Sequence, residues 1–154
     1  MKNTIRQRAR QRLDERLTPL KPENRLLPPP KGWIRAIRDA LGMTGPQFAA
    51  RLNIKPQSVA DIEKSEATGS IQLKTLSRAA EALDCTLVYA LVPKTSLEGA
   101  VEARARRIAM KDLARVAHTM KLEDQGVDDA ALEQRIAAYV RDVIKDRDLW
   151  ASRD

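Results

Sequence analysis

The stretch TGPQFAARLNIKPQSVADIEKSE, residues 44–66, decides the fold of this chain. It predicts one helix that begins after the N-cap Thr44 and a second helix that begins near Pro56. Asn53 turns the chain between the two helices, and Ala49 is small enough to permit a close crossing. Two helices joined by so short and sharp a turn are predicted to cross at a steep angle, as in a helix-turn-helix.

Amphipathic patterns on both sides extend this pair to a bundle of four helices. Residues 33–41 follow an apolar i, i+1, i+4, i+8 pattern with Arg38 on the polar face, and Gly42 is a favourable stop. The run LKTLSRAAEALD, residues 73–84, predicts a fourth helix with its leucines and alanines facing inward. Four helices within about fifty residues predict a compact all-α bundle over residues 31–84.

The motif in residues 44–66 resembles the phage-repressor-like (XRE/Cro-type) helix-turn-helix family. Its elements, which are Met-Thr, a small crossing Ala, a turn and V-x-x-[IWL]-E, lie at residues 43–44, Ala49, residues 53–54 and residues 59–63. The resemblance covers residues 33–83. It implies that the second helix reads the major groove of DNA and that Glu63 closes this recognition helix against the bundle.

Polar residues at the start of the two helices are the predicted DNA contacts. Base contacts are predicted for Gln57, Ser58 and Asp61, and the Asp61 carboxylate suits cytosine N4 better than guanine or phosphate. Phosphate and flanking contacts are predicted for Lys55, Lys64, Thr44 and Gln47. The sequence departs from the family at Gly45, where a phosphate-contacting Gln is common, and at Lys55, where a Ser or Thr cap is usual. A bundle of this shape that serves as a protein adaptor is the alternative.

Most of the net charge of +7 lies in the N-terminal segment. Residues 1–30 carry eight Lys and Arg against three acids, whereas residues 94–154 carry twelve of each. Apolar residues recur at helical spacing from Ile5 to Leu17, which predicts an Arg-rich helix over residues 3–17. Such a cluster favours nucleic acid as partner, with an anionic membrane surface second and a solubilising, frayed terminus as the alternative. The arginines predicted to contact DNA are Arg6, Arg8 and Arg10.

The run CTLVYALVP, residues 85–93, is nearly all apolar or β-branched and ends at a proline, which predicts one β-strand. A lone strand leaves its backbone groups unpaired, so we expect it to pair with a second copy in a two-fold homodimer. The predicted dimer contacts are Leu87, Val88, Tyr89 and Leu91. An edge strand, or an extended segment packed on the bundle, is the alternative.

The remaining residues predict a C-terminal helical hairpin. Its first helix is expected from about residue 96 to 120, Gly126 breaks it, and Asp128 can cap the second helix. The predicted fold is therefore all-α, with a helix-turn-helix bundle, one short β-strand and this hairpin. The predicted division of the chain is a basic helix or arm with a Pro-rich linker (1–30), the helix-turn-helix domain (31–84), a dimerisation strand (85–93) and a helical extension (94–154).

Three further stretches are similar to a narrower family, mobile mystery protein A. They are QRLDERL at residues 11–17, GSIQLKTLSRAAEALDCTLVYALVP at residues 69–93, and the helical tail. Members of this family stand beside Fic-domain proteins on mobile elements, so the resemblance implies an autorepressor and antitoxin that pairs with a Fic-type toxin. An adaptor that inhibits such a toxin with little specific DNA binding is the alternative. The segment at residues 81–93 is also similar to the dimer-forming strand of kinase-type antitoxins.

No catalytic residue, metal ligand or cofactor is predicted. The chain has one histidine, His118, and one cysteine, Cys85, which are too few for a common zinc site or an internal disulfide. It has neither a glycine-rich phosphate loop nor a nucleophile elbow. The sequence shows neither a signal-peptide core nor a membrane span, so we expect a cytoplasmic protein. Because no catalytic motif is found, we do not expect an enzyme.

Overall fold

The computed structural model describes residues 2–21, 23–119 and 129–151. Within these ranges the chain forms seven α-helices: α1 (Lys2–Leu17), α2 (Trp33–Ala40), α3 (Gly45–Leu52), α4 (Gln57–Ala67), α5 (Leu73–Ala82), α6 (Leu97–Thr119) and α7 (Asp129–Asp142). Two short 3-10 helices lie at Thr18–Leu20 and Glu23–Leu26. The chain divides into a bundle unit, residues 22–91, and a terminal unit, residues 1–21 with 92–154.

The core of the bundle unit is built around Phe48, which has no exposed surface. Apolar side chains from all four helices surround it: Ile34, Ala49, Leu52, Val59, Ala79, Ala82 and Leu83. Ala49 and Ala79 are themselves fully buried, and small side chains of this kind allow α3 to approach its neighbours closely. The predicted all-α bundle is therefore confirmed over α2–α5.

The four bundle helices end in the same way, with one residue in the left-handed conformation. These residues are Gly42 (φ 66°), Asn53 (φ 56°), Gly69 (φ 75°) and Asp84 (φ 57°). After α3, the N–H of Ile54 donates to the carbonyl of Ala49 at 3.0 Å, and the N–H of Asn53 donates to the carbonyl of Ala50 at 3.2 Å. This pattern satisfies the last carbonyls and reverses the chain within a few residues, so α4 starts directly after the turn.

The β-strand predicted for residues 85–93 is wrong. The described part of the chain contains no strand, and residues 85–93 lie in neither helix nor sheet. Composition favours extended backbone there, but a strand also needs a partner for its N–H and C=O groups, and residues 2–21, 23–119 and 129–151 contain no second strand. Val88, Tyr89 and Leu91 are instead 83%, 72% and 86% exposed.

The terminal unit joins the two ends of the chain, since α6 packs against both α1 and α7. The Asp14 carboxylate in α1 accepts hydrogen bonds from the backbone N–H groups of Leu97 at 2.7 Å and Glu98 at 3.2 Å, and so caps α6. Arg10 of α1 also pairs with the Glu98 side chain, its Nε lying 2.6 Å from Oε2. The N-terminal helix, which the predicted division separates from residues 94–154, therefore shares a compact unit with them.

A buried arginine holds the C-terminal tail on α6. Arg104 is 7% exposed, and its Nε donates to the carbonyl of Leu149 at 2.8 Å. Ile136 of α7 is buried in the same unit. The predicted break at Gly126 and cap at Asp128 lie outside the described residues. Among the described residues, no helix is both long enough and apolar enough to cross a membrane.

Candidate nucleic-acid interface

The start of α3 is fixed by a reciprocal pair of hydrogen bonds between Thr44 and Gln47. The N–H of Gln47 donates to Thr44 Oγ1 at 3.3 Å, and the N–H of Thr44 donates to Gln47 Oε1 at 2.8 Å. This capping box satisfies two helix-terminal donors. Both side chains are exposed. The Gln47 side-chain NH₂ group makes no hydrogen bond to the part of the chain that the structure describes, so it is available to a phosphate oxygen.

The helix α4 has one exposed polar side and one buried side. Gln57, Asp61 and Lys64 recur at i, i+4 and i+7 and are exposed, whereas Val59 and Glu63 on the opposite side are buried. Two further predicted contacts flank this row: Lys55 is exposed just before the helix, and Ser58 is half-buried at the edge of its outer face. The structure therefore brings the predicted residues of α4 together on one accessible face.

The N-terminus of α4 carries no side-chain cap. Its first backbone bonds run from the N–H groups of Ser58 and Val59 to the carbonyls of Lys55 and Pro56, at 3.0 and 3.2 Å. The N–H groups of Ser58 and Val59 are therefore already bonded, but the positive end of the helix dipole lies at the same end as Lys55. This is an arrangement that favours an anion such as phosphate.

The inner side of α4 is held by an ion pair between Glu63 and Arg38 of α2. Arg38 Nε lies 2.6 Å from Glu63 Oε1, and the two side chains are only 13% and 9% exposed. Arg38 also donates to the carbonyl of Met43 at 2.9 Å, so it ties α4 to the loop before α3. The hydrogen bond to Glu63 raises the pKa of Arg38, which keeps the guanidinium charged. The sequence places Arg38 on the polar face of α2, and the structure adds a long-range partner that compensates the burial of its charge.

A second carboxylate, Glu66, links α4 to the start of α2. It accepts hydrogen bonds from the backbone N–H groups of Trp33 at 2.8 Å and Ile34 at 2.9 Å. Gly32 precedes them with φ 84°, and a Cβ there would lie 2.6 Å from Glu66 Oε2. Sequence reasoning missed Glu66; the signal in the sequence was Gly32 immediately before a helix that has no N-cap side chain of its own.

The arginines predicted to bind DNA lie in the terminal unit, not with the residues of α3 and α4. Arg10 pairs with Glu98, and Arg6 lies 3.4 Å from the Asp146 carboxylate. Arg8 is exposed.

A helix-turn-helix family model matches residues 34–89. Residues 34–89 form an XRE-type helix-turn-helix domain. The matched range includes α3, α4 and α5, and therefore the exposed face of α4. This is a DNA-binding class of domain that is not typically enzymatic, and the function it indicates is that of a DNA-binding regulator. Comparison with curated proteins and with solved structures gives no significant match.

Proposed function

We propose that this chain is a sequence-specific transcriptional regulator that reads base edges with the outer face of α4. The observation that carries the proposal is the row of exposed polar residues on a helix whose inner side is fixed by Glu63 and Glu66. A helix held at two points keeps its backbone fixed on binding, so only its exposed side chains must be ordered when they enter a groove. Such preorganisation supports specific readout over loose electrostatic association.

Each residue of the face has a chemically distinct task. The Gln57 amide matches adenine N6 and N7, the Asp61 carboxylate accepts from cytosine N4, and Ser58 suits either base. Lys55 and Lys64 neutralise phosphates on either side of the groove, while Thr44 and Gln47 approach the backbone from the start of α3.

Replacing Gln57 and Asp61 together by alanine is expected to remove selectivity. Each base contact contributes about 1–3 kcal/mol of discrimination, so loss of both should lower the preference for the duplex that the wild-type chain selects by about 30-fold or more. Affinity for unrelated duplex should stay equal or rise slightly, because Asp61 repels phosphate. Fluorescence anisotropy on both duplexes measures the ratio.

The matched control is Glu81→Ala, which removes one carboxylate from an exposed position of α5. It should leave the ratio unchanged. Retained selectivity in the Gln57→Ala/Asp61→Ala variant would contradict the assignment of α4 as the reading helix.

We further propose that the regulator is a homodimer that contacts itself through the segment Leu87–Leu91. Support comes from Val88, Tyr89 and Leu91, which are more than two-thirds exposed although they stand within four consecutive residues. Single exposed apolar residues are ordinary, but a contiguous exposed group marks an interaction surface. A two-fold dimer would bind a palindromic operator with half-sites about one DNA turn apart.

The variant Val88→Asp/Leu91→Asp is expected to be monomeric, because two carboxylates would be buried at the dimer contact. Loss of bivalent binding should weaken affinity for a palindrome by about 10²-fold or more. The control is Leu26→Asp/Leu27→Asp, since these leucines are 56% and 61% exposed in the same unit. Sedimentation velocity reads the oligomeric state; a dimer that survives the first variant would contradict this contact.

A finer proposal is that the regulator represses its own operon and acts as the antitoxin of a Fic-type toxin. The similarity to mobile mystery protein A supports it, and so do apolar side chains of the terminal unit, where Met110, Val116 and Trp150 are 49%, 49% and 63% exposed. Calorimetric titration of the full chain with a Fic-domain protein tests it. Heat of binding without any DNA selectivity would favour the alternative, an inhibitory adaptor; no heat at either of two well-separated temperatures would remove the toxin partner.

A further inference from the structure

We infer that the outer face of α1 is a second DNA contact, in which Arg8, Arg12 and Arg16 bind phosphate groups independently of sequence. The inference rests on the proposed function, because it assigns the duplex read by α4 as the ligand. It concerns residues of the terminal unit, and it divides the arginines of α1 into two groups with different tasks.

The inner group holds α1 in place. Arg10 forms two hydrogen bonds with Glu98, from Nε at 2.6 Å and from Nη2 at 3.3 Å, and it is only 17% exposed. Arg6 faces Asp146 at 3.4 Å, and Asp14 caps α6. These residues recur at i, i+4 and i+8, so one side of α1 is fixed to the terminal unit by charge.

The outer group consists of Arg8, Arg12 and Arg16, which also recur at i, i+4 and i+8 and are all exposed. None of the three forms an ion pair with the residues that the structure describes. At 1.5 Å per residue the row is about 12 Å long, and its members lie within about 80° around the helix axis. Glu15 is the one acid at an exposed position of the described part of α1, so the face keeps a net positive charge.

The rest of the chain carries little net positive charge, which explains why DNA binding depends on this row. Residues 31–93, which include the recognition helix, carry eight Lys and Arg against six acids, and residues 94–154 carry twelve of each. A duplex presents one negative charge about every 1.7 Å, and its neutralisation supplies much of the binding free energy. The helix-turn-helix domain alone supplies little of this electrostatic binding free energy, and the negative charge of Asp61 on its reading face reduces it further. A row of unpaired guanidinium groups on an anchored helix supplies what the domain lacks.

The test compares two triple variants of the full chain that lose the same charge. One is Arg8→Gln/Arg12→Gln/Arg16→Gln, which keeps good helix formers in α1. The control, Arg141→Gln/Lys145→Gln/Arg147→Gln, removes three cations from exposed positions elsewhere in the terminal unit. Affinity is measured against salt concentration on the duplex that the wild-type chain selects and on an unrelated duplex.

The first variant should lower the slope of log affinity against log salt by about 2.7, which corresponds to three phosphate contacts. Its affinity should fall by the same factor on both duplexes, so selectivity should not change. The control should keep the wild-type slope. Circular dichroism and the free energy of unfolding confirm that both variants retain the fold.

The other outcomes separate this inference from the proposed function. Equal loss of slope in both variants would reduce the effect to net charge and overturn the inference. Selective binding with an unchanged slope in the first variant would overturn it and leave the proposed function intact. Loss of binding to phosphatidylserine vesicles with an unchanged DNA slope would assign the row, which adjoins the exposed Ile5 and Leu13, to a membrane instead. A wild-type chain that selects no sequence, but whose slope depends on the row, would refute the proposed function alone.

Discussion

Phe48→Ala is expected to lower the free energy of unfolding of the helix-turn-helix domain by about 3–5 kcal/mol. Phe48 is the largest fully buried side chain in the described residues, and core residues from α2, α3, α4 and α5 surround it. Truncation removes the apolar surface that it buries and leaves a cavity that four short helices, each closed by a tight turn, cannot easily fill. Domains are stable by only about 5–15 kcal/mol, so this variant should be close to unfolded at physiological temperature.

Urea unfolding followed by far-ultraviolet circular dichroism measures this loss. The control is Phe48→Leu, which keeps an apolar side chain of similar volume and should cost less than about 1.5 kcal/mol. A loss below about 1 kcal/mol for Phe48→Ala would show that the core is not organised around this residue.

Glu63→Ala is expected to destabilise the same domain by about 2–4 kcal/mol. Removing one partner of a buried ion pair leaves the other charge desolvated and uncompensated, here the guanidinium of Arg38. The expected loss is below the full range for a buried pair because Asp39 also lies 3.1 Å from Arg38 and is partly exposed. Since the pair connects α4 to α2, α4 should also lose its fixed orientation, and the proposed selective DNA binding should weaken with stability.

Two comparisons make this prediction specific. Glu81→Ala removes an exposed carboxylate of α5 and should change stability by no more than about 0.5 kcal/mol. The double variant Arg38→Met/Glu63→Leu replaces both charges with apolar groups and should recover most of the lost stability. If Glu63→Ala lowered the free energy of unfolding no more than Glu81→Ala, the Arg38–Glu63 ion pair would not be what holds α4 in place.

The bundle was predictable from sequence because its signals are local. Apolar spacing located α2 to α5, Gly42 and Asn53 marked chain reversals that need left-handed backbone, and Thr44 with Gln47 marked a helix start. The exposed face of α4 follows from the same periodicity once its buried side is known. These features depend on residues a few positions apart.

The partners of buried charges were not predictable in the same way. Arg38 and Glu63 are 25 residues apart, and Glu66 lies 32 residues from Ile34, whose N–H it binds. Periodicity places a residue on one side of its helix but does not identify what faces it. In the segment 85–93, local composition was not enough to predict the structure. Its composition favours extended backbone, but sheet formation also requires a second strand to pair with.

The helix α1 has one feature that was predictable from sequence and one that was not. Its existence was predicted from apolar residues at helical spacing, yet Ile5 and Leu13 are 69% and 47% exposed. Long-range ion pairs of Arg6 and Arg10 and the cap formed by Asp14 fix instead which side of α1 faces the terminal unit.

Selecting bound fragments from random duplex DNA at physiological salt, and sequencing them, tests whether the outer face of α4 reads DNA. We expect an enriched palindrome with half-sites about one helical turn apart, bound by a dimer. Salt-sensitive binding with no enriched sequence would contradict it, because the charge of the chain would then attract DNA without reading it.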